Sequence, residues 1–218
     1  MSTYILMRIL ESAPHRYDQG IRLLTLGRVD KAYDRLTAYI VPGQRVLDVG
    51  CGTGALTLRA AQKGATVKGI DVNTQMLEIA RQRIKVDNLT DSVELDEMGV
   101  AELCNEIHQE YDVVMSGLCF SELSEGERIY ALKEIYRVLQ PDGLLLLADE
   151  IVPHDPFRWL LHWLIRLPLA AITYVLTQTT THAVRNLPGQ VQAAGFAIKS
   201  VRQSVLEDFV ELVAVKPS

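Results

Sequence analysis

The stretch VLDVGCGTG, residues 46–54, contains the strongest structural signal in this chain of 218 residues. A short apolar run surrounds an acid, Asp48, and glycines follow at alternate positions, Gly50, Gly52 and Gly54. Glycine has no Cβ, so a glycine turn between a strand and a helix lets a ligand approach the backbone closely. The stretch therefore predicts a buried strand, a ligand-binding turn and the start of a helix.

Segments typical of strands and helices alternate beyond this stretch. Apolar runs with β-branched residues occupy 45–50, 66–71, 92–97, 112–116 and 143–149. Asn73 or Thr74 is expected to cap one intervening helix, and a capping box, Ser124-x-x-Glu127, precedes another over 126–139. A turn at 141–143 is expected to end that helix. This alternation predicts a doubly wound parallel sheet with helices on both faces.

The C-terminal segment has a different pattern. After a short helix at 188–194, two strand-like runs, 197–203 and 208–215, are separated by only four residues. A parallel connection needs a dozen or more residues, so these runs are predicted to form an antiparallel hairpin. We expect one α/β domain over 1–218 with a Rossmann-like sheet of seven strands. It would have a helical cap at 1–40 and a lid insertion at 151–187, between strands 5 and 6.

Composition excludes several classes of function. The formal net charge is −5, with 22 basic and 27 acidic residues, and gives no reason to expect a nucleic-acid partner. Cys51, Cys104 and Cys119 lack the spacing of metal ligands, so no metal site is predicted. The first residues lack a charged start followed by a long apolar run, and the protein is expected to be cytoplasmic.

The glycine turn is compatible with two cofactors. Gly50-x-Gly52-x-x-Ala55 satisfies the dinucleotide fingerprint, and Asp71 ends the second strand as an acid for ribose hydroxyls. Asp48 separates the two cofactors, because a carboxylate there would repel a diphosphate and attract the ammonium group of a methionine moiety. The pattern therefore favours S-adenosylmethionine over a nicotinamide dinucleotide.

Two features resemble known families. Asp48-x-Gly50-x-Gly52-x-Gly54, within the predicted sheet, resembles the class I S-adenosylmethionine-dependent methyltransferases. Tyr17-Asp18, with a glycine at position 27, resembles the entry segment of the small ubiquinone/menaquinone-biosynthesis methyltransferases. That resemblance implies that Tyr17 or Arg22 reaches the methionine carboxylate; a packing role for Tyr17 remains an alternative.

The resemblance implies a set of cofactor-binding residues and a product, S-adenosylhomocysteine. The set is Tyr17, Asp48, Gly50, Cys51, Gly52, Gly54, Asp71, Val72, Met98, Gly99, Val100, Ala101 and Ser116. Relatives often have an acid for the adenine amino group where this chain has Val100, which leaves only backbone N–H groups near Ala101. Val72 and Met98 are expected either to sandwich the adenine or to belong to the core.

Two residues are candidates for moving a proton. Glu122 follows the fourth strand, where many relatives have a histidine pair, and would act as a general base if it faces the cleft. A solvated loop position is the alternative. His182 ends a polar run, 177–182, and titrates near neutral pH.

The apolar stretch 157–176 is long enough to suggest a membrane span. A single span would separate the C-terminal hairpin from its sheet, arginines at 158 and 166 are costly at depth, and Pro168 breaks the helix. No transmembrane span is predicted.

Segment 157–182 is instead expected to choose the acceptor or partner. Arg158, His162 and Arg166 share one helical face beside tryptophan and leucine residues, which suits contact with a membrane surface, a cap over a small hydrophobic acceptor, or a partner protein. Packing on its own domain is the alternative.

Residues 7–36, 116–123 and 164–184 also resemble small methyltransferases of anaerobes that are associated with corrinoid proteins. This second resemblance implies a cobalamin-carrying partner. A methyltransferase fold that binds the cofactor without turnover is a further alternative, suggested by Val100 and the missing histidine pair.

Overall fold

The computed structural model describes residues 27–151, 184–204 and 208–218. The strands are β1 Arg45–Val49, β2 Thr66–Asp71, β3 Val93–Glu97, β4 Tyr111–Gly117, β5 Leu139–Glu150, β6 Ala197–Gln203 and β7 Phe209–Val215. The α-helices are α1 Arg28–Thr37, α2 Ala55–Gln62, α3 Thr74–Val86, α4 Glu125–Val138 and α5 Leu187–Ala193, and a 3₁₀ turn spans Val100–Asn105.

The strands form one mixed sheet in the order β3-β2-β1-β4-β5-β7-β6. Strands β1 to β5 are parallel, and β7 is antiparallel to both β5 and β6. The predicted Rossmann-like sheet of seven strands with a C-terminal antiparallel hairpin is confirmed. Because β1 lies between β2 and β4, the chain order reverses beside β1, and a ligand crevice is expected where these strands end.

Side chains of the central strands are buried on both faces of the sheet. Leu47 and Val114 pack in the core beneath α4, whereas Val46 and Val113 pack on the opposite face with residues of α1 and α2. All four have 0% relative exposure. Burial on both faces explains why these strands appear in the sequence as continuous apolar runs.

The helix starts follow their capping residues. Asn73 Oδ1 accepts the N–H groups of Gln75 and Met76 and begins α3. Ser124 and Glu127 form the predicted capping box at the start of α4. These contacts confirm both predicted caps, and they fix the helices that follow the carboxyl ends of β2 and β4.

The predicted turn at 141–143 was wrong as the end of a helix. α4 ends at Val138, and Leu139 already pairs with Tyr111 of β4, so β5 begins before the proline. The register shifts within β4 between Tyr111 and Val113, and Asp142 takes a positive φ of 61°. The turn signal therefore marks an irregularity inside a long strand.

Much of the predicted cap and lid lies outside the described residues. Of the expected cap 1–40, the structure describes α1 and the residues around it from 27; of the expected lid 151–187, it describes 151 and 184–187. Within the described ranges, no helix has the length and apolar character that crossing a membrane requires.

Candidate functional site

A cleft of about 530 Å³ opens where the first four strands end. Because parallel strands end at one edge of the sheet, this edge brings together residues that are far apart in sequence. Nine of the predicted site residues line the cleft: Gly50, Gly52, Asp71, Val72, Met98, Gly99, Val100, Ala101 and Glu122. The topology thus assembles most of the predicted set.

The glycine turn is shaped by contacts within the protein. Gly50 has a φ of 71°, and a Cβ there would lie 2.5 Å from both Cβ and Sγ of Cys119. Gly52 has a φ of 53°, and a Cβ there would meet no protein atom within 4 Å. Gly50 is therefore required by packing, whereas Gly52 leaves open space beside the cleft.

Four N–H groups of this turn donate hydrogen bonds within the protein. Gly50 and Cys51 donate to Ile70 O at 2.9 and 3.0 Å, Gly52 donates to Asp71 Oδ2 at 2.8 Å, and Gly54 donates to Cys51 O at 2.9 Å. A diphosphate bound at this turn would need such groups for itself. The geometry therefore disfavours the dinucleotide alternative.

Asp71 lies at the mouth of the cleft, at the end of β2. Its Oδ2 accepts the N–H of Gly52, and its Oδ1 accepts the N–H of Asn73 at 2.8 Å. Burial raises the pKa of Asp71, and the N–H groups of Asn73, Gly52 and Val72 act in the opposite direction. Each carboxylate oxygen has a second lone pair, so the fixed side chain can still accept a pair of neighbouring hydroxyl groups.

Asp48 lies beneath the turn and not among the residues that line the cleft. Its side chain is 1% exposed, and Oδ2 accepts a hydrogen bond from Thr57 Oγ1 of α2 at 2.6 Å. Oδ1 is buried without a hydrogen-bond partner among the described residues. Burial raises the pKa of Asp48 to about 7, although the hydrogen bond from Thr57 lowers it. The expected contact between Asp48 and an ammonium group stays a prediction.

Cys51, Gly54 and Ser116 also lie outside the lining of this cleft. Cys51 and Gly54 belong to the same turn, and Cys51 lines a neighbouring groove of about 900 Å³. The two spaces share Gly50, Gly52, Gly117 and Leu118, so they meet at the turn. Ser116 is 1% exposed and donates through Oγ to Val49 O at 2.7 Å, which ties β4 to β1 beside the turn.

Residues that follow β2 and β3 form a further part of the cleft lining. Val72 is 71% exposed and Met98 is partly buried, so Val72 at least is not core. A Cβ on Gly99 would lie 3.1 Å from Val72 Cγ1 and 3.8 Å from Glu102 Oε2. Ala101 is anchored through its carbonyl oxygen, which accepts from Tyr130 Oη at 3.2 Å.

Two charged side chains, those of Asp149 and Arg128, hold the loop after β4 in place through hydrogen bonds. Asp149 accepts the N–H groups of Phe120 and Ser121, at 2.7 and 3.2 Å, and Arg128 donates to the carbonyl oxygen of Leu123. Burial raises the pKa of Asp149 to about 6. The anchored loop presents Glu122, an exposed residue, to the cleft.

Cys119 lines the cleft on the same loop. Burial raises the pKa of its thiol well above the ordinary value, and the neighbouring Glu122 carboxylate raises it further. A thiol that holds its proton is a weak nucleophile. This agrees with the interpretation of Cys119 as a lining residue.

Several predicted residues belong to segments outside the described ranges. Tyr17, Arg22 and His182 lie outside the described residues, as do Arg158, His162 and Arg166 of segment 157–182. The membrane-surface and corrinoid-protein hypotheses depend on that segment and stay predictions. Within the described ranges, no cluster of three or more potential metal ligands occurs.

Three contributors to the site were not predicted from the sequence. Glu102 lines the cleft; its signal was the spacing Gly99-x-x-Glu102, a capping pattern. Leu118 lines it with a positive φ of 60°, which no sequence signal predicts. Tyr33 of α1 packs so closely over Gly117 that a Cβ there would lie 2.3 Å from its Oη.

The chain resembles known proteins in sequence and in fold. Residues 46–143 match a methyltransferase domain family. A demethylmenaquinone methyltransferase of Lactobacillus johnsonii is 34% identical over 151 residues, which cover 66% of this chain and 59% of that protein. The chain thus spans about three fifths of the length of this curated relative.

Two solved structures share the fold. The magnesium protoporphyrin IX methyltransferase ChlM from Synechocystis PCC 6803, with bound SAM, has a TM-score of 0.64 at 20% identity, covering 90% of this chain and 81% of that one. The [4+2]-cyclase SpnF has a TM-score of 0.67 at 22% identity, covering 84% and 80%. At such low identity these similarities concern the fold alone.

Proposed function

This chain belongs to the class I S-adenosylmethionine-dependent methyltransferases, and we propose that it methylates a small, hydrophobic acceptor. One observation carries the methyl donor in this proposal: the cleft at the strand ends joins a fixed carboxylate, Asp71, to an apolar wall that includes Val72 and Met98. A nucleoside fits this combination, because the carboxylate can accept its ribose hydroxyls and the apolar wall can contact its base.

The described residues fit S-adenosylmethionine. Asp71 is the proposed acceptor for the ribose hydroxyls, and the missing Cβ of Gly52 leaves room for the cofactor beside the turn. Val72 and Met98 are the proposed contacts for the adenine faces. The cofactor would supply a methyl group bonded to a positively charged sulfur. When a nucleophile attacks this methyl group in line, the sulfur is the leaving group and becomes a neutral thioether.

An apolar acceptor is supported by two observations. Leu118 and Leu123, from the loop after β4, line the cleft together with Cys119. In addition, the relative from Lactobacillus johnsonii is named for demethylmenaquinone, a hydrophobic acceptor. We propose a quinol-like or similarly apolar aromatic acceptor that enters over this loop.

Positioning should supply most of the rate, because holding the acceptor in line with the methyl group removes much of the entropic barrier. Where the acceptor loses a proton on methylation, we propose that Glu122 accepts it. Glu122 lines the cleft on the anchored loop, together with Cys119.

Production of S-adenosylhomocysteine by the purified chain tests the proposed function. The panel would contain a prenylated naphthohydroquinone lacking the ring methyl group and a polar amine such as glycine. We expect turnover with the hydroquinone and none with glycine. Turnover with glycine alone would contradict the proposed acceptor class.

Glu122→Gln tests the proton acceptor on the same loop. We expect a fall of about 100-fold in kcat with the hydroquinone, a typical contribution of general-base catalysis. Glu125→Gln removes an equal charge from the exposed first turn of α4 and is the matched control. Equal rates in both variants would exclude Glu122 as the base.

Cofactor binding without turnover is the second candidate function. The [4+2]-cyclase SpnF shares this fold, and a fold by itself does not fix the reaction. This candidate predicts that the chain binds S-adenosylhomocysteine but forms none from S-adenosylmethionine with any acceptor of a broad panel. A single productive acceptor would exclude it.

A further inference from the structure

We propose that Glu102 accepts a hydrogen bond from the exocyclic amino group of the cofactor's adenine and so selects adenine over other bases. The proposal rests on the cofactor in the proposed function and concerns how its base is recognised. Val100, the first residue of the 3₁₀ turn, has an apolar side chain without an acceptor.

The Glu102 carboxylate lies at the wall where the base is expected. Glu102 lines the cleft with Val72, Gly99 and Ala101. Val72 Cγ1 and Glu102 Oε2 both border the small space above Gly99, at 3.1 and 3.8 Å from a Cβ built there. An apolar surface for a ring face and an acceptor for a ring substituent therefore occur side by side.

Local structure fixes the direction of this carboxylate. Glu102 is the third residue of the 3₁₀ turn, and its Oε2 accepts the N–H of Gly99 at 2.8 Å. This bond returns the side chain toward the end of β3, as in a capping box. One oxygen is thereby committed to the protein, and the carboxylate keeps further acceptor capacity for a ligand.

Further contacts fix the position of the 3₁₀ turn. The carbonyl oxygen of Ala101 accepts from Tyr130 of α4, and Glu102 N–H donates to Gly99 O at 3.1 Å. Leu103, the next residue, is 0% exposed and anchors the turn in the core. A base acceptor on this turn is thus positioned before the ligand arrives, which favours discrimination.

The test compares the affinities for S-adenosylhomocysteine and S-inosylhomocysteine, measured by calorimetry. The inosine analogue replaces the amino group, a donor, with an oxygen, an acceptor. We expect the wild-type protein to prefer the adenosine compound by roughly 10- to 100-fold, the range for a hydrogen bond to a charged group. Equal affinities would overturn the proposal without requiring any variant.

Glu102→Gln assigns the preference to this residue. The amide oxygen can still accept from Gly99, so the turn is kept, while its NH₂ group now faces the base as a donor. We expect the preference to fall about tenfold, through weaker binding of the adenosine compound and stronger binding of the inosine compound. An unchanged preference in a folded Glu102→Gln protein would overturn the proposal.

Glu127→Gln is the matched control. Glu127 also lines the cleft and also caps a helix, through Ser124 N–H at 2.8 Å. We expect it to leave the preference unchanged; an equal change would mean that the charge of the cleft, and not Glu102, is responsible. If neither compound binds the wild-type protein, the proposed function fails, whereas binding without preference contradicts only the role of Glu102.

Discussion

At the scale of single residues, Asp48 is a buried carboxyl group whose ionisation costs stability. Burial raises its pKa to about 7, so the folded chain holds a proton that the unfolded chain releases near pH 4. Its contribution to the free energy of unfolding is therefore fully present below about pH 4 and is lost as the pH rises through about 7. The amount lost is on the order of 4 kcal/mol at most, at about 1.4 kcal/mol per pKa unit.

Asp48→Asn removes this titration and tests the assignment. We expect the stability difference, wild type minus variant, to decrease as the pH rises from 4 to 7. Urea unfolding at several pH values measures it, and subtraction of the two curves cancels the other carboxyl groups. A difference that stays constant with pH would show that Asp48 does not titrate in this range.

Gly52 is expected to matter for binding more than for stability. Gly52→Ala places a methyl group in the open space beside the cleft, at a φ of 53° that costs about 1–2 kcal/mol for alanine. We expect S-adenosylhomocysteine affinity to fall more than tenfold. Gly43→Ala is the control, because Gly43 has a φ of 85°, equally open surroundings and no place in the cleft. If both variants bind equally well, Gly52 does not adjoin the cofactor.

At the scale of elements, the loop after β4 depends on Asp149. Its carboxylate accepts N–H groups of Phe120, Ser121 and Glu150, and all of these residues are buried. Asp149→Ala leaves these donors without their acceptor, so we expect a loss of about 2–4 kcal/mol in the free energy of unfolding at pH 7. Urea denaturation measures the loss. Asp91→Ala, at an exposed turn, should change stability by less than about 0.5 kcal/mol. If Asp149→Ala lowers the free energy of unfolding no more than Asp91→Ala does, the anchoring role of Asp149 is contradicted.

Elements were easier to predict than side-chain positions. Strand β1 and its glycine turn follow from local sequence, because apolar runs and glycines report backbone conformation directly. Whether Asp48 faces the cleft or Thr57 depends on how α2 packs, which is a tertiary property without a local signal. The position of Glu102 in the cleft was equally unpredictable from local sequence. Its side chain reaches the cleft only because the 3₁₀ turn packs at the end of β3.

At the scale of the whole molecule, the site exists only in the folded sheet. Asp71 ends β2, Gly99 follows β3 and Gly117 ends β4, so no single segment contains the cleft. The reversal of chain order beside β1 creates the crevice. The sequence predicted the parallel strands and the C-terminal antiparallel hairpin from hydrophobic alternation and connection lengths, whereas the strand order was seen only in the structure.

Calorimetric titration of S-adenosylhomocysteine and NAD into the wild-type protein and Asp71→Ala tests the central claim most directly. We predict 1:1 binding of S-adenosylhomocysteine to the wild type, about 100-fold weaker binding to Asp71→Ala through the loss of charge-assisted hydrogen bonds, and no binding of NAD. Asp91→Ala, with an exposed aspartate away from the cleft, should bind like the wild type. Tight binding of NAD, or equal affinity for S-adenosylhomocysteine in the wild type and Asp71→Ala, would contradict the account.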